Sequence, residues 1–204
     1  GCAAQNLPVT KEVVDKLTAF VKLLSKWNRV YNLTSVRLPD DMVNRHIQDS
    51  LIVLPWITGP DLLDIGSGAG LPGLPLAMVK PELSVTCLDA NAKKTRFIQQ
   101  VVSELDLQNV QVEHQRAEKY QPESPFHQVI SRAFSSLQQM QKSAGHLCLL
   151  NGEMLAMKGM KPTEELSVLR TMGYIPQVLG LQIPGLDVER HLIKWTPSGA
   201  TNTA

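Results

Sequence analysis

Along the first sixty residues apolar positions recur with a helical period. Val13, Leu17, Phe20, Leu24 and Trp27 share one face of a segment opened by Thr10, which predicts a helix from about residue 10 to 27. Val43, Ile47, Leu51 and Leu54 form a second stripe and predict a helix from about 40 to 54, ended by Pro55 and by Gly59-Pro60. Between them, residues 28–35 are rich in side chains that bond their own backbone. From Asp61 the pattern changes. Short apolar runs near 62–65, 85–88, 110–113, 128–131 and 153–157 alternate with helical patterns near 74–79, 93–105, 137–147 and 163–172. Such alternation predicts an α/β fold, a parallel sheet with helices on both faces. Two last runs, 175–181 and 191–195, are joined by a loop too short for a helical crossover, so they should be antiparallel. The expected organisation is an N-terminal helical cap (1–60), a core (61–197) and a small, polar, disordered tail (198–204), together one compact unit.

The stretch Asp61 to Gly73 changes the picture from fold to chemistry. An apolar strand ends in an acid and breaks into Gly66, Gly68, Gly70 and Gly73, with Pro72 where a helix would begin. Glycines clustered after a strand let the backbone turn sharply and lie against a ligand, which suggests a cofactor cradle. Gly68, Gly70 and Gly73 also satisfy the dinucleotide pattern G-x-G-x-x-G. Two features favour S-adenosylmethionine instead. Asp64, just before the first glycine, can receive the ammonium of a methionine moiety and would repel a pyrophosphate, and the loop holds no Lys or Arg to meet a phosphate. A parallel sheet closed by an antiparallel hairpin is, moreover, the layout of class I, Rossmann-like methyltransferases. Asp89, at the end of the next strand and about 20 residues on, can reach the ribose hydroxyls of either cofactor. A nicotinamide-dependent (NAD) oxidoreductase remains the competing enzyme, and an RNA-binding protein that keeps the pocket without turnover the non-enzymatic alternative. A glycine turn with two helix-capping acids is the purely structural one.

Composition adds bounds. The 204 residues are 43% hydrophobic without a long uninterrupted apolar run, so no membrane span is expected. No charged-then-apolar leader pattern opens the sequence, which makes the cytoplasm the expected location. Cys2, Cys87 and Cys148 cannot all pair; two core thiols and a terminal one are expected, with no metal. A net charge of +1 means that an anionic partner must be met by local patches. Lys93, Lys94 and Arg96 crowd a helix start, where each opposes the macrodipole by a few tenths to ~1 kcal/mol. Lys158 and Lys161 flank Gly159, and Arg29, Arg37 and Arg45 punctuate the cap. These groups are candidates for RNA phosphates, with solvated surface charge as the alternative.

Several segments occur in a fixed order over almost the whole chain: Tyr31-Asn32-Leu33-Thr34, Arg45-His46 with Asp49-Ser50-Leu51, Leu63 to Pro75, Arg116-Ala117-Glu118, Ser131-Arg132-Ala133 and Leu155 to Gly159. In these the chain resembles the bacterial small-subunit ribosomal RNA methyltransferase G family, also known as the glucose-inhibited division protein B family. The resemblance implies methyl transfer from S-adenosylmethionine to N7 of a guanine in the 530 loop of 16S ribosomal RNA, guanine 527. The substrate would be that RNA or the small ribosomal subunit, and the enzyme a monomer. It places cofactor contacts at Gly66, Leu71, Ala117, Glu118 and Arg132. Ala117 and Glu118 would face the adenine edge, unless Glu118 is an ordinary helix-start acid. Arg132, His46 and Asp49 would stand at the methyl acceptor, against the plainer readings of a buried ion pair and a helix-surface polar pair. Guanine N7 carries a lone pair and no proton, so no general base is required. The sequence lacks the Asn-Pro-Pro-Tyr, Asp-Pro-Pro-Tyr and Pro-Cys segments suited to other acceptors after its fourth strand.

Overall fold

The structure, a computed structural model, describes residues 10–132, 134–186 and 188–198. Cys2 and residues 199–204 of the expected tail lie outside them. Helix α1 (Lys11–Tyr31) is followed by α2 (Pro39–Met42), a π-helical turn (Val43–Gln48) and α3 (Asp49–Leu51). The sheet then alternates β1 (Asp61–Ile65), α4 (Gly73–Val79), β2 (Ser84–Leu88), α5 (Ala92–Glu104), β3 (Val110–Glu113), β4 (Phe126–Ser131), α6 (Leu137–Ala144), β5 (Cys148–Lys158), α7 (Thr163–Thr171), β6 (Gln177–Leu181) and β7 (Arg190–Trp195). Thr10 caps α1 by accepting from the Val13 N–H at 3.3 Å. At the other end Asn32, in the left-handed region at φ 51°, closes the helix onto the Asn28 carbonyl.

The seven strands lie in the order β3-β2-β1-β4-β5-β7-β6. Pairings through β5 are parallel, and β7 inserts antiparallel between β5 and β6. The expected antiparallel terminal pair is therefore present. The order reverses between β1 and β4, which opens the crevice at their carboxyl ends where ligands bind in such sheets. Both faces are covered, so successive strand residues serve opposite cores. Leu62 packs with Phe20, Leu24, Leu74 and Phe97 on one face, Leu63 and Ile65 with Leu137, Met140 and Leu166 on the other. Helix α1 belongs to the first core, its Phe20 and Trp27 rings lying 6.2 and 5.6 Å from that of Phe97.

The second helix departs from its expected course. The buried residue of its first turn is Met42 rather than Val43, which is 41% exposed. From Met42 the next buried apolar residue is Ile47, five positions on, and a π turn with i→i+5 bonding brings two such residues onto one face. The helix expected over about 40–54 is thus present from Pro39 to Leu51 with a π turn inside it, and Leu54 begins a 3₁₀ turn (Leu54–Trp56). Cys87 and Cys148 are buried and free, as expected. No helix among the described residues is long and apolar enough to cross a membrane.

Candidate active site

The four glycines of the β1–α4 loop serve two different needs. Gly66, Gly68 and Gly70 take φ of 66°, 60° and 77°, a region side chains disfavour. A Cβ on Gly66 would meet nothing within 4 Å, and one on Gly68 only the Gly66 carbonyl at 3.8 Å and Lys94 Nζ at 4.0 Å, so these two face outward. Gly73 is needed for close packing instead, since a Cβ there would meet Asp64 Oδ2 at 2.8 Å and Cys87 Sγ at 2.9 Å. The loop is tied to the sheet by the N–H groups of Gly66 and Ser67, which donate to the Leu88 carbonyl at 2.8 and 3.2 Å.

Asp64 lies under this loop, fully buried. Its Oδ2 accepts from the Gly73 N–H at 2.9 Å, while Oδ1 has no partner among the described residues. Burial pushes its pKa up to about 7, against the pull of the Gly73 N–H and of Arg132. A buried carboxyl with one unmet oxygen, beneath a glycine surface that faces outward, fits a ligand that brings an ammonium to it directly or through water, as S-adenosylmethionine would. Asp89, at the mouth of the same loop, accepts from the Gly68 N–H at 2.9 Å and the Asn91 N–H at 2.8 Å. It thereby braces the cradle, and each oxygen keeps a second lone pair for a hydroxyl. Leu71 buries its side chain, so any cofactor contact it makes is through its main chain. Ala117 and Glu118 form a 3₁₀ turn after β3, Ala117 half-buried and Glu118 exposed. The Ser143 hydroxyl beside Glu118 holds its carboxyl below the usual range.

Next to the cradle a cavity of about 340 Å³ opens between the cap, β5 and the β6–β7 pair, with Arg45, His46, Asp49 and Arg132 in its lining. The π turn and α3 deliver the first three, and the end of β4 delivers Arg132. His46 is buried with both ring nitrogens engaged. Thr34 Oγ1 lies 2.8 Å from Nε2, and the Arg45 carbonyl 3.0 Å from Nδ1. The Arg45 carbonyl can only accept, so a bond to it places the ring proton on Nδ1 and leaves Nε2 to accept from the Thr34 hydroxyl; Arg132 Nη1 lies a further 3.4 Å from Nδ1. Burial, then the Arg132 charge, lower His46 to about pKa 4, so the ring is neutral. Asp49 stands between two guanidiniums, with Arg190 Nε 2.6 Å from Oδ1 and Arg132 Nη1 3.6 Å from Oδ2. Burial lowers the Arg132 pKa, and Asp49 and Asp64 on either side oppose that shift.

The expected RNA-contact residues are placed unevenly. Arg45 is exposed at the cavity, and Lys93, Arg96 and Lys161 are exposed. Lys94 turns back to the cradle, 3.9 Å from Asp89. Lys158 is held by Glu165 at 2.9 Å and faces the Phe134 carbonyl at 3.5 Å, so its charge is largely met within the fold. Sequence reasoning passed over Arg190 and His191. A signal was available: the first residues of an antiparallel last strand must lie at the carboxyl ends of the parallel ones, and His191 does pair with Lys158 at the end of β5. Among the described residues no cluster of three or more His, Cys, Asp or Glu could hold a metal.

Comparisons with known proteins give the family and the fold. The family model described as rRNA small subunit methyltransferase G (GidB) matches residues 13–193. The ribosomal RNA small subunit methyltransferase G of Marinobacter nauticus is 49% identical over 95% of this chain and 90% of its own. That of Shigella dysenteriae is 44% identical, with 92% and 91% covered. Among solved structures, a SAM dependent methyltransferase from Aquifex aeolicus superposes with a TM-score of 0.59 at 16% identity, covering 76% of this chain and 93% of that one. The glycopeptide N-methyltransferase MtfA, complexed with S-adenosyl-L-homocysteine, gives 0.64 at 9% identity, covering 74% and 86%. At such identities these two speak for the fold.

Proposed function

The chain belongs to the rRNA small subunit methyltransferase G family, and we propose that it methylates N7 of a guanine in the 530 loop of 16S ribosomal RNA, guanine 527, with S-adenosylmethionine as donor. The observation that carries this reading is the position of Arg132. Its half-buried guanidinium lines the cavity 3.6 Å from Asp49 Oδ2, and it lies close enough to Asp64 of the glycine cradle for each charge to act on the other, so the base cavity adjoins the cofactor site.

When bound, S-adenosylmethionine supplies an electrophilic sulfonium methyl. In this reading Asp64 receives its ammonium, Gly66 and Gly68 let the backbone lie against it, Asp89 meets the ribose hydroxyls, and Ala117 and Glu118 border the adenine. The cavity residues orient the guanine and exclude water. Neutral His46, with both nitrogens engaged and a pKa near 4, is unsuited to take a proton at neutral pH. That suits an acceptor whose in-plane lone pair attacks without deprotonation. Methylation leaves a positive purine, and among the described residues the Asp49 carboxylate is the group in the cavity whose charge favours it. Arg45, Lys93, Arg96 and Lys161 are exposed for phosphates. The enzyme would act in the cytoplasm, as a monomer.

The test is to incubate the protein with radiolabelled S-adenosylmethionine and small subunits lacking the modification, then map the labelled base. Label at guanine N7 in the 530 loop is expected. Label at another atom would refute the acceptor assignment, and binding of ribosomal RNA without transfer would favour a non-catalytic protein.

A further inference from the structure

N7 cannot by itself identify a guanine, because adenine presents the same lone pair at the same place. Selection must come from the six-membered ring. Guanine offers N1–H and 2-amino donors and an O6 acceptor; adenine offers an N1 acceptor and a 6-amino donor. A site that accepts guanine therefore needs an acceptor facing N1 and N2, and donors facing O6.

The cavity has that asymmetry. Arg45 and Arg132 supply guanidinium donors. The Lys158 ammonium is engaged by Glu165, both nitrogens of His46 are used, and His191 Nδ1 lies 2.9 Å from the Gly159 carbonyl. Among the described residues Asp49 is the one carboxylate in the lining. Its Oδ1 is fixed by Arg190, whose Nη1 is itself anchored to the Glu189 carbonyl at 2.9 Å. Its Oδ2 has no hydrogen bond among the described residues, the nearest cation being Arg132 at 3.6 Å. Val36, Ile52, Met157 and Leu181 provide apolar wall for the ring.

We propose that Oδ2 of Asp49, aimed by Arg190, accepts the N1–H and 2-amino hydrogens of the target guanine and thereby excludes adenine. The proposal rests on the guanine-N7 reading above. In it Asp49 touches the substrate, and Arg190 is a positioning residue that acts through Asp49.

The experiment reconstitutes small subunits from unmodified RNA carrying guanine, inosine or adenine at the methylated position, and measures single-turnover methyl transfer at saturating S-adenosylmethionine. Inosine keeps N7, O6 and N1–H and lacks the 2-amino group. Wild type should be about 5- to 100-fold slower on inosine than on guanine and inactive on adenine. Asp49→Asn should be slowed on guanine and should no longer separate guanine from inosine, with S-adenosylhomocysteine affinity unchanged as proof of folding. Arg190→Lys, which keeps the charge without the Nε geometry, should give an intermediate guanine-to-inosine ratio. Equal wild-type rates on guanine and inosine, an arm that needs no variant, would overturn the proposal. So would the same ratio in wild type and Asp49→Asn, which would leave Asp49 as an ion-pair bridge. No transfer to guanine by wild type would overturn the parent reading as well.

Discussion

Replacing Asp64 by Asn should stabilise the free protein and abolish cofactor binding at once, and the two effects have separate signatures. A carboxyl of this kind ordinarily titrates near 3.8, but buried Asp64 does so at about 7. Below the lower value it is neutral folded and unfolded and costs nothing. Between the two, the unfolded chain gives up its proton while the folded one keeps it, so wild-type stability falls by about 1.4 kcal/mol per pH unit. Above about pH 7 both are charged and the loss is complete, about 4 kcal/mol in all. Asn has no such titration, still accepts from the Gly73 N–H, and leaves a neutral amide where the unmet oxygen was. Urea denaturation across pH should therefore show the variant's advantage growing by about 2 to 3 kcal/mol from pH 5 to pH 8 and staying level above. With S-adenosylhomocysteine present the order should invert, because the ligand stabilises wild type by mass action and leaves the variant unchanged. A gap that is flat between pH 5 and 8, or a variant that keeps wild-type affinity in calorimetry, would refute the role given to Asp64.

Other expectations follow from the same geometry. Gly68→Val forces a branched side chain into φ 60° and projects it outward from the cradle, so S-adenosylhomocysteine affinity should fall at least 100-fold with about 1 to 2 kcal/mol of destabilisation; retained affinity would mislocate the cofactor. Lys93→Gln with Arg96→Gln should reduce the log–log salt slope of RNA binding by about 0.7 to 0.9 per lost phosphate contact without changing cofactor affinity, and an unchanged slope would make them solvated surface charge. At saturating S-adenosylmethionine, whose ammonium keeps Asp64 ionised, single-turnover rates should be nearly flat with pH from about 6 to 8, and His46→Asn should lower them without removing an ionisation. A wild-type rate rising tenfold per pH unit through neutrality, and losing that slope in the variant, would make His46 a general base.

What could be read from the chain, and what could not, divides along a physical line. The strands were legible because a sheet covered on both faces buries consecutive residues, so that Leu62 and Leu63 read as one apolar run although they face opposite cores. The glycine cradle was legible because three of its residues hold backbone angles that few side chains tolerate. Asp64 was legible as a position, but its unmet oxygen is a product of burial, which spacing alone does not encode. The π turn escaped because Val43 and Ile47 fit an α-helical stripe as well as Met42 and Ile47 fit a wider one, and packing against the core decided for Met42.

Side-chain partners were the least legible, since they depend on which strand ends meet. Asp49 and Arg190 lie 141 positions apart, and their 2.6 Å bond exists because β7 runs backwards beside β5 and brings its first residue to the ligand edge of the sheet. The same topology explains why a lysine expected to face RNA is held inside. The residues of α7 return over the end of β5, and Glu165 takes the Lys158 ammonium while also accepting from the Leu137 N–H at the start of α6. One carboxylate thus ties the end of β5 to the start of α6, the helix that follows the loop beginning at Arg132. Cations around the ligand edge of the sheet are therefore of two kinds in this fold. Those with an acid from a neighbouring helix, such as Lys158, shape the site, whereas those without one among the described residues, such as Arg45, remain available to the substrate.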